Sequence, residues 1–241
     1  MSGHSKWATT HRQKELVDAK RGAIFTKLAN NISFAAKKGG DPETNALLRT
    51  AIEKARAANM PKDNVERAIK KGSGELGGAA LEELYYEGLG SLGAQFIVKC
   101  VTDNKNRSAS TVRHLFSKNG GSFGAVMWNF EQLGVFLISN EELEAKKINF
   151  DDFELELMEQ EVRDIAREDE GITIYTEVKD FHGLIDFLEK KNIKTESAEI
   201  EYVAKEKLKV DNPEDVAKLE KFVAELEDNE DVSEYYTNAD F

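Results

Sequence analysis

Cationic side chains dominate the residues able to do chemistry. Lys14 and Arg21 stand seven apart, as do Lys20 and Lys27, so on a helix each pair repeats along one flank and can follow a phosphate backbone. Ahead of them, His4, Lys6, Trp7, His11 and Arg12 form a cationic tail with an indole able to stack on a base. Lys62, Arg67, Lys70 and Lys71 extend the set. A second group, Lys105, Asn106, Arg107, Arg113, His114 and Lys118, surrounds a helix start near Arg107 suited to one phosphate. Each group has a plainer alternative: the polar face of a bundle helix for the first, packing on the bundle for Trp7, and ordinary surface charge for the second.

Catalytic spacings are weak by comparison. Gly72 to Gly77 matches G-x-G-x-x-G, yet it follows a helical segment where the dinucleotide fingerprint must follow a strand. It reads as linker. Cys100 lies in an alternating strand with no base beside it in sequence, so a buried, inert thiol is expected. His4, His11, His114 and His182 form no zinc spacing, and Asp151, Asp152, Glu154 and Glu156 lack a calcium-loop glycine at the right offset. There is no P-loop. These patterns predict no metal, no cofactor and no enzyme activity; a metal-dependent hydrolase using His182 and carboxylates is the remote alternative.

Charge distribution sharpens the polyanion reading. The chain has 241 residues and a net charge of −12, which by itself would repel a nucleic acid. Residues 1 to 72, however, hold fifteen Lys+Arg against seven Asp+Glu, a local charge of +8, so the remainder carries −20. Residues 141 to 170 alone hold thirteen acids and four bases. A basic head on an acidic body points to a polyanion bound by one end of the molecule. With 40% hydrophobic and 32% charged residues and three prolines, the chain can bury cores and has more length than one average domain needs. A single cysteine precludes an internal disulfide, no apolar run is long enough for a membrane helix, and residues 1 to 14 lack a secretory apolar stretch. A cytoplasmic location and no membrane partner are expected.

Three helices must position the basic residues. Val17, Ile24, Leu28, Ile32 and Ala35 make one apolar stripe ended by Gly39-Gly40; Leu47, Leu48, Ala51, Ile52 and Ala55 make a second; Pro61 opens a third, with Val65, Ala68 and Ile69 inward and Gly72 as its stop. Glycine-rich residues 73 to 82 read as a linker. Strands are expected over residues 83 to 87 and 94 to 102, a helix over 107 to 118 and a strand over 126 to 130, a unit missing its second half. From residue 133 the pattern runs β-α-β-β-α-β to about residue 203, the ferredoxin-like plan. A helix opened by Asn212-Pro213 and a strand over 232 to 238 then complete the interrupted unit. The expected class is α+β: a three-helix amino-terminal domain followed by two ferredoxin-like α/β domains, one inserted in the other. The expected boundaries are 1–78, 79–132 with 209–241, and 133–208.

Several exact strings carry a resemblance. Gly3-His4-Ser5-Lys6-Trp7, Asp18-Ala19-Lys20-Arg21, Phe25-Thr26-Lys27-Leu28, Asn59-Met60-Pro61-Lys62-Asp63-Asn64, Tyr86-Glu87-Gly88, Thr102-Asp103-Asn104, Phe116-Ser117-Lys118 and Tyr236-Thr237-Asn238 resemble the YebC/PmpR family. The resemblance implies a basic helical domain followed by two α/β domains. It also implies gene-expression control: DNA-binding transcriptional regulation as the leading reading, or, as in family members that act on translation, ribosome association through rRNA or tRNA. Residues 120 to 126 form a loop shorter than the family's usual one, which places any contact made by that loop outside the resemblance.

Overall fold

A computed structural model of the chain describes Trp7, residues 21–77 and residues 80–241. Two compact units emerge, and each has its own core.

The larger unit contains the basic helices and the first sheet. Helices α1 (Arg21–Ala36), α2 (Ala46–Ala57) and α3 (Lys62–Gly72) bury Ile32, Ala35, Leu48, Ile52, Ala55, Met60, Val65 and Ala68 against one another. Each is short enough to be marginal alone, so this shared core is what holds them helical. The α1–α2 corner is fixed by buried Asn45. Its carboxamide oxygen accepts from the Leu48 amide, capping α2, while its nitrogen donates to the carbonyls of Ala35 and Gly39, both at 2.8 Å. Between α2 and α3, Asn59 turns the chain at φ +56°, the left-handed conformation that a glycine usually supplies, and Met60 is buried beside it. α3 crosses α1 so closely that a Cβ on Gly72 would lie 2.2 Å from the Ser33 carbonyl oxygen; Ser33 in turn donates its hydroxyl to the Ala68 carbonyl at 2.8 Å.

After the linker, β1 (Glu82–Leu89) and β2 (Gln95–Thr102) form a hairpin, α4 (Lys105–Lys118) follows, and β3 (Ser122–Phe123) returns to pair with β1. The chain then leaves this sheet and comes back near its end as α8 (Pro213–Asp228) and β9 (Val232–Thr237), with β9 antiparallel to β2. The order β3-β1-β2-β9 is all antiparallel. On one face Phe96, Phe116 and Phe222 meet edge to face with centroids 4.9 to 6.3 Å apart, packing β2, α4 and α8 together. α1 packs against β2 and β9.

The expected strand over residues 126 to 130 is not formed. After Gly120 (φ +76°) the chain pairs with β1 at once, the Val126 amide donates to the Glu87 carboxylate at 2.7 Å, and residues 127 to 129 make a single 3-10 turn.

The second unit has its own sheet. It comprises β4 (Phe130–Ser139), α5 (Asn140–Ala145), α6 (Phe150–Met158), β5 (Val162–Arg167), β6 (Gly171–Glu177), α7 (Phe181–Lys190) and β7 (Ser197–Ala204). Its antiparallel order, β5-β6-β4-β7, is the ferredoxin-like one. The first sheet is also four-stranded and antiparallel but differs in order: its central pair, β1 and β2, is joined directly as a hairpin. Phe136, Ile138, Leu157, Ile172, Ile174, Leu184 and Leu188 fill the space between the second sheet and its helices. Two short strands absent from the sequence expectation, β8 (Leu208–Lys209) and β10 (Ala239–Asp240), pair in parallel, so the last residues return to this unit.

Candidate nucleic-acid interface

α3 presents the clearest cationic face. Val65 and Ala68 point into the bundle, and the same helical period puts Arg67, Lys70 and Lys71 into solvent. Among the described residues none of these three has an ion-pair partner. Lys62 is exposed at the start of the helix, 3.6 Å from Glu66, a solvated pair that leaves the ammonium accessible. On α2, Arg49 and Arg56 are exposed and seven residues apart, opposite buried Leu48, Ile52 and Ala55. The sequence reading passed over both; their spacing outside the apolar stripe is the signal that finds them.

Other cations, Lys27 of the expected set among them, are engaged within the protein. Lys27 donates to the Glu227 carbonyl near the end of α8, which gives its ammonium a helix-terminal acceptor. Lys54 reaches Glu234 of β9 at 3.1 Å, and Glu234 also holds Lys99 at 3.4 Å, with Glu83 on the far side of Lys99 at 3.3 Å. Burial alone would raise the Glu234 carboxyl, but Lys54 and Lys99, with the Tyr236 hydroxyl donating at 2.8 Å, hold it well below the usual carboxylate range.

The second expected group is largely neutralised. Arg107 donates to Asp231 at 2.9 and 3.3 Å and to Asp103 at 3.0 Å, and Lys118 donates to Glu225 at 2.8 Å. Arg113 lies 5.1 Å from the centroid of the Phe123 ring, while Lys105 and His114 are exposed. The Arg107 amide, expected to receive a phosphate, donates instead to the Asn104 side chain at 3.0 Å. Residue type announced this group; its partners Asp231 and Glu225, 124 and 107 residues away in sequence, did not show in the pattern.

Trp7 corrects a further expectation. Its indole is 1% exposed and packs against Gly171 at the start of β6, so it has no open face on which a base can stack. His4, Lys6, His11, Arg12, Lys14 and Lys20 lie outside the described residues, as does the side chain of Arg21. Cys100 is fully buried and its thiol is pushed up to about 11, chiefly by desolvation. His182 sits exposed on α7, its ring edge-on to Phe181, and the described residues hold no cluster of metal-ligating side chains.

A three-helix bundle with a cationic third helix, followed by two four-stranded antiparallel sheets, the second of them ferredoxin-like in order, defines an α+β protein with a helical head. Residues 5–75 match the family model described as the TACO1/YebC protein N-terminal domain, and residues 81–239 match that of the TACO1/YebC second and third domain. The chain belongs to the TACO1/YebC family. It is 45% identical to a protein of Thermoanaerobacter pseudethanolicus over 100% of this chain and 97% of that one, and 46% identical to one of Bacillus licheniformis over 99% of each. Both relatives carry the name "probable transcriptional regulatory protein". A solved structure, that of a conserved hypothetical protein from Aquifex aeolicus, superposes with a TM-score of 0.79 at 37% identity, covering 93% of this chain and 92% of that one.

Proposed function

We propose that this protein is a non-catalytic regulator of gene expression that binds duplex DNA through the solvent-facing cations of α2 and α3, and that it acts on transcription. The observation that carries the proposal is the exposed, unneutralised set Arg67, Lys70 and Lys71 on the one basic segment of an otherwise acidic chain. An acidic body attached to a cationic head disfavours approach of a polyanion from the body side, which orients encounter toward the head. The names of the relatives point to the same level of control. Burial of Trp7 removes the stacking platform that favoured splayed RNA bases.

Electrophoretic mobility and fluorescence anisotropy against duplex DNA, structured RNA and ribosomes test this reading. Arg67→Glu, Lys70→Glu and Lys71→Glu together should weaken binding strongly and lower the log–log salt slope on duplex by roughly 3, at about 0.9 for each phosphate that is no longer neutralised. A folded triple variant that binds as tightly as the parent overturns the assignment of the face. A parent that binds ribosomes or RNA in preference to every duplex tested overturns the transcriptional level.

A further inference from the structure

Of the two tryptophans, Trp7 is buried and Trp128 is 63% exposed. An aromatic side chain of this size offers about 150–250 Å² of surface, and Trp128 leaves most of its own in water. Its backbone is nonetheless firmly held. Trp128 lies in the 3-10 turn over residues 127 to 129, and the next residue, Asn129, is buried. The Asn129 carboxamide donates to the Glu206 carbonyl and accepts from the Glu206 amide, both at 2.9 Å, and the Asn129 carbonyl accepts from the Lys205 amide at 2.7 Å. Lys205 then turns its ammonium back onto the Trp128 carbonyl at 3.2 Å. The residue is therefore positioned before anything binds, which lowers the freedom lost on association.

The segment clasped to this turn is cationic. Lys205, Lys207 and Lys209 are all exposed. Pairing of β8 with β10 fixes the far end, the Leu208 amide donating to the Asn238 carbonyl at 2.8 Å and the Val210 amide to the Asp240 carbonyl at 2.9 Å. Residues 127 to 210 hold eleven Lys+Arg against twenty-two Asp+Glu, yet three of the eleven fall within residues 205 to 209, beside a single acid, Glu206. The Lys205 ammonium rests on a neutral carbonyl, so that contact leaves its charge uncancelled.

An indole meant for a protein partner sits best among other apolar side chains. The neighbours of Trp128 are half-buried Met127, buried and hydrogen-bonded Asn129, and this lysine segment. An aromatic plane beside a run of cations is instead the composition that takes an unpaired polynucleotide strand, a base stacking on the ring and the phosphates meeting the ammonium groups. A duplex keeps its bases inside the stack, out of reach of such a ring. We propose that Trp128, Lys205, Lys207 and Lys209 form a second nucleic-acid site, addressed to unpaired strand and carried by the unit that does not contain the α2–α3 face. The two sites share no residue, so each can fail without the other.

Fluorescence titration of the full chain with oligo(dT) and oligo(rU) of about 12 nucleotides, within the length one such site covers, tests the proposal. Saturation should quench the emission of exposed Trp128, and a duplex of equal length should not. Affinity is read by anisotropy in a protein carrying Arg67→Glu, Lys70→Glu and Lys71→Glu, which removes the contribution of the head and should leave the quenching intact. In that background Trp128→Ala should weaken binding roughly 5- to 100-fold, the effect of losing one stacked base. Lys205→Glu, Lys207→Glu and Lys209→Glu together should lower the log–log salt slope on single strand by about 2, at about 0.7 for each phosphate. All four side chains are exposed, so circular dichroism of these variants should match the parent. The tighter of the two homopolymers shows whether the strand is DNA or RNA. Quenching by neither, or a Trp128→Ala protein that binds both as tightly as its background, overturns the proposal. So does a duplex that quenches as strongly as the single strand.

Discussion

Replacing Glu234 with Gln removes an anion that Lys54 and Lys99 share, at 3.1 and 3.4 Å. With an effective dielectric of about 20, unit charges at such separations attract by roughly 5 kcal/mol each before desolvation is counted. Dehydrating the ions offsets most of that, so the relevant magnitude is the loss on breaking a buried pair, about 3–5 kcal/mol. Lys99 keeps Glu83 at 3.3 Å and the Lys54 side chain is 36% exposed, which places the expected loss at the lower end, about 3 kcal/mol. In a protein of this length, that corresponds to a melting temperature lower by roughly 6–12 °C. The pH dependence follows from the depressed carboxyl. Because its folded value lies below the ordinary 4.5, its contribution is fully present above that pH and fades as pH falls toward the folded value. Urea denaturation of parent and variant at neutral pH and at steps below pH 4.5 should therefore give a large difference that shrinks with acid. A difference under about 0.5 kcal/mol at neutral pH, the range of an ordinary surface substitution, refutes the reasoning. So does a difference that stays constant down to the acid limit.

Three further outcomes are expected. A chain ending at Asp211 lacks α8 and β9, exposes Phe96 and Phe116, and should aggregate or melt without cooperativity in calorimetry; a monomer with the parent melting curve contradicts the sheet order. Phe222→Ala removes the ring that touches both Phe96 and Phe116 and should cost about 3–5 kcal/mol in urea unfolding, with a loss below about 1 kcal/mol counting against the packing. Cys100, fully buried with its thiol pushed up to about 11, should resist disulfide reagents at neutral pH until the protein unfolds, so rapid labelling of the native chain would show the strand to be open.

The fold class was legible because both periods are clean. Phe96, Val98 and Cys100 alternate toward α4 and α8 as a half-buried strand requires, and Ile52 with Ala55, or Val65 with Ala68, mark helical stripes. Short elements escaped. β3, β8 and β10 have two residues each, too few for any period, and their existence depends on partners such as Gly88 and Leu208. The turn over 127 to 129 was misread because Val126, Met127 and Trp128 have strand-like composition while their backbone groups and neighbours answer to Glu87 and Glu206. The candidate site was legible in sign and not in detail. A count of Lys and Arg gives the charge of a segment, but whether a cation faces solvent depends on acids far along the chain: Asp231 for Arg107, Glu225 for Lys118, Glu234 for Lys54.

Those distant acids divide the work among the three head helices. α1 and α2 are held to the first sheet by the carboxyl-terminal segment: Lys27 to the Glu227 carbonyl, Lys54 to Glu234, and the Ser233 hydroxyl to Asn31 at 2.9 Å. α3 packs on α1 and takes no part in these contacts, so its Arg67, Lys70 and Lys71 remain directed at solvent. The segment that closes the sheet therefore also fixes the bundle from which α3 projects. On the proposed reading α3 gains from such a mount, since the rotational freedom of a loosely tethered bundle would have to be lost on every association. Cations used in the mount are unavailable to a phosphate, and cations on α3 contribute nothing to the mount. On this division, substitutions at Lys27 or Lys54 should act on stability first, and substitutions at Arg67, Lys70 or Lys71 on binding alone, because the two sets share no partner and lie on different helices.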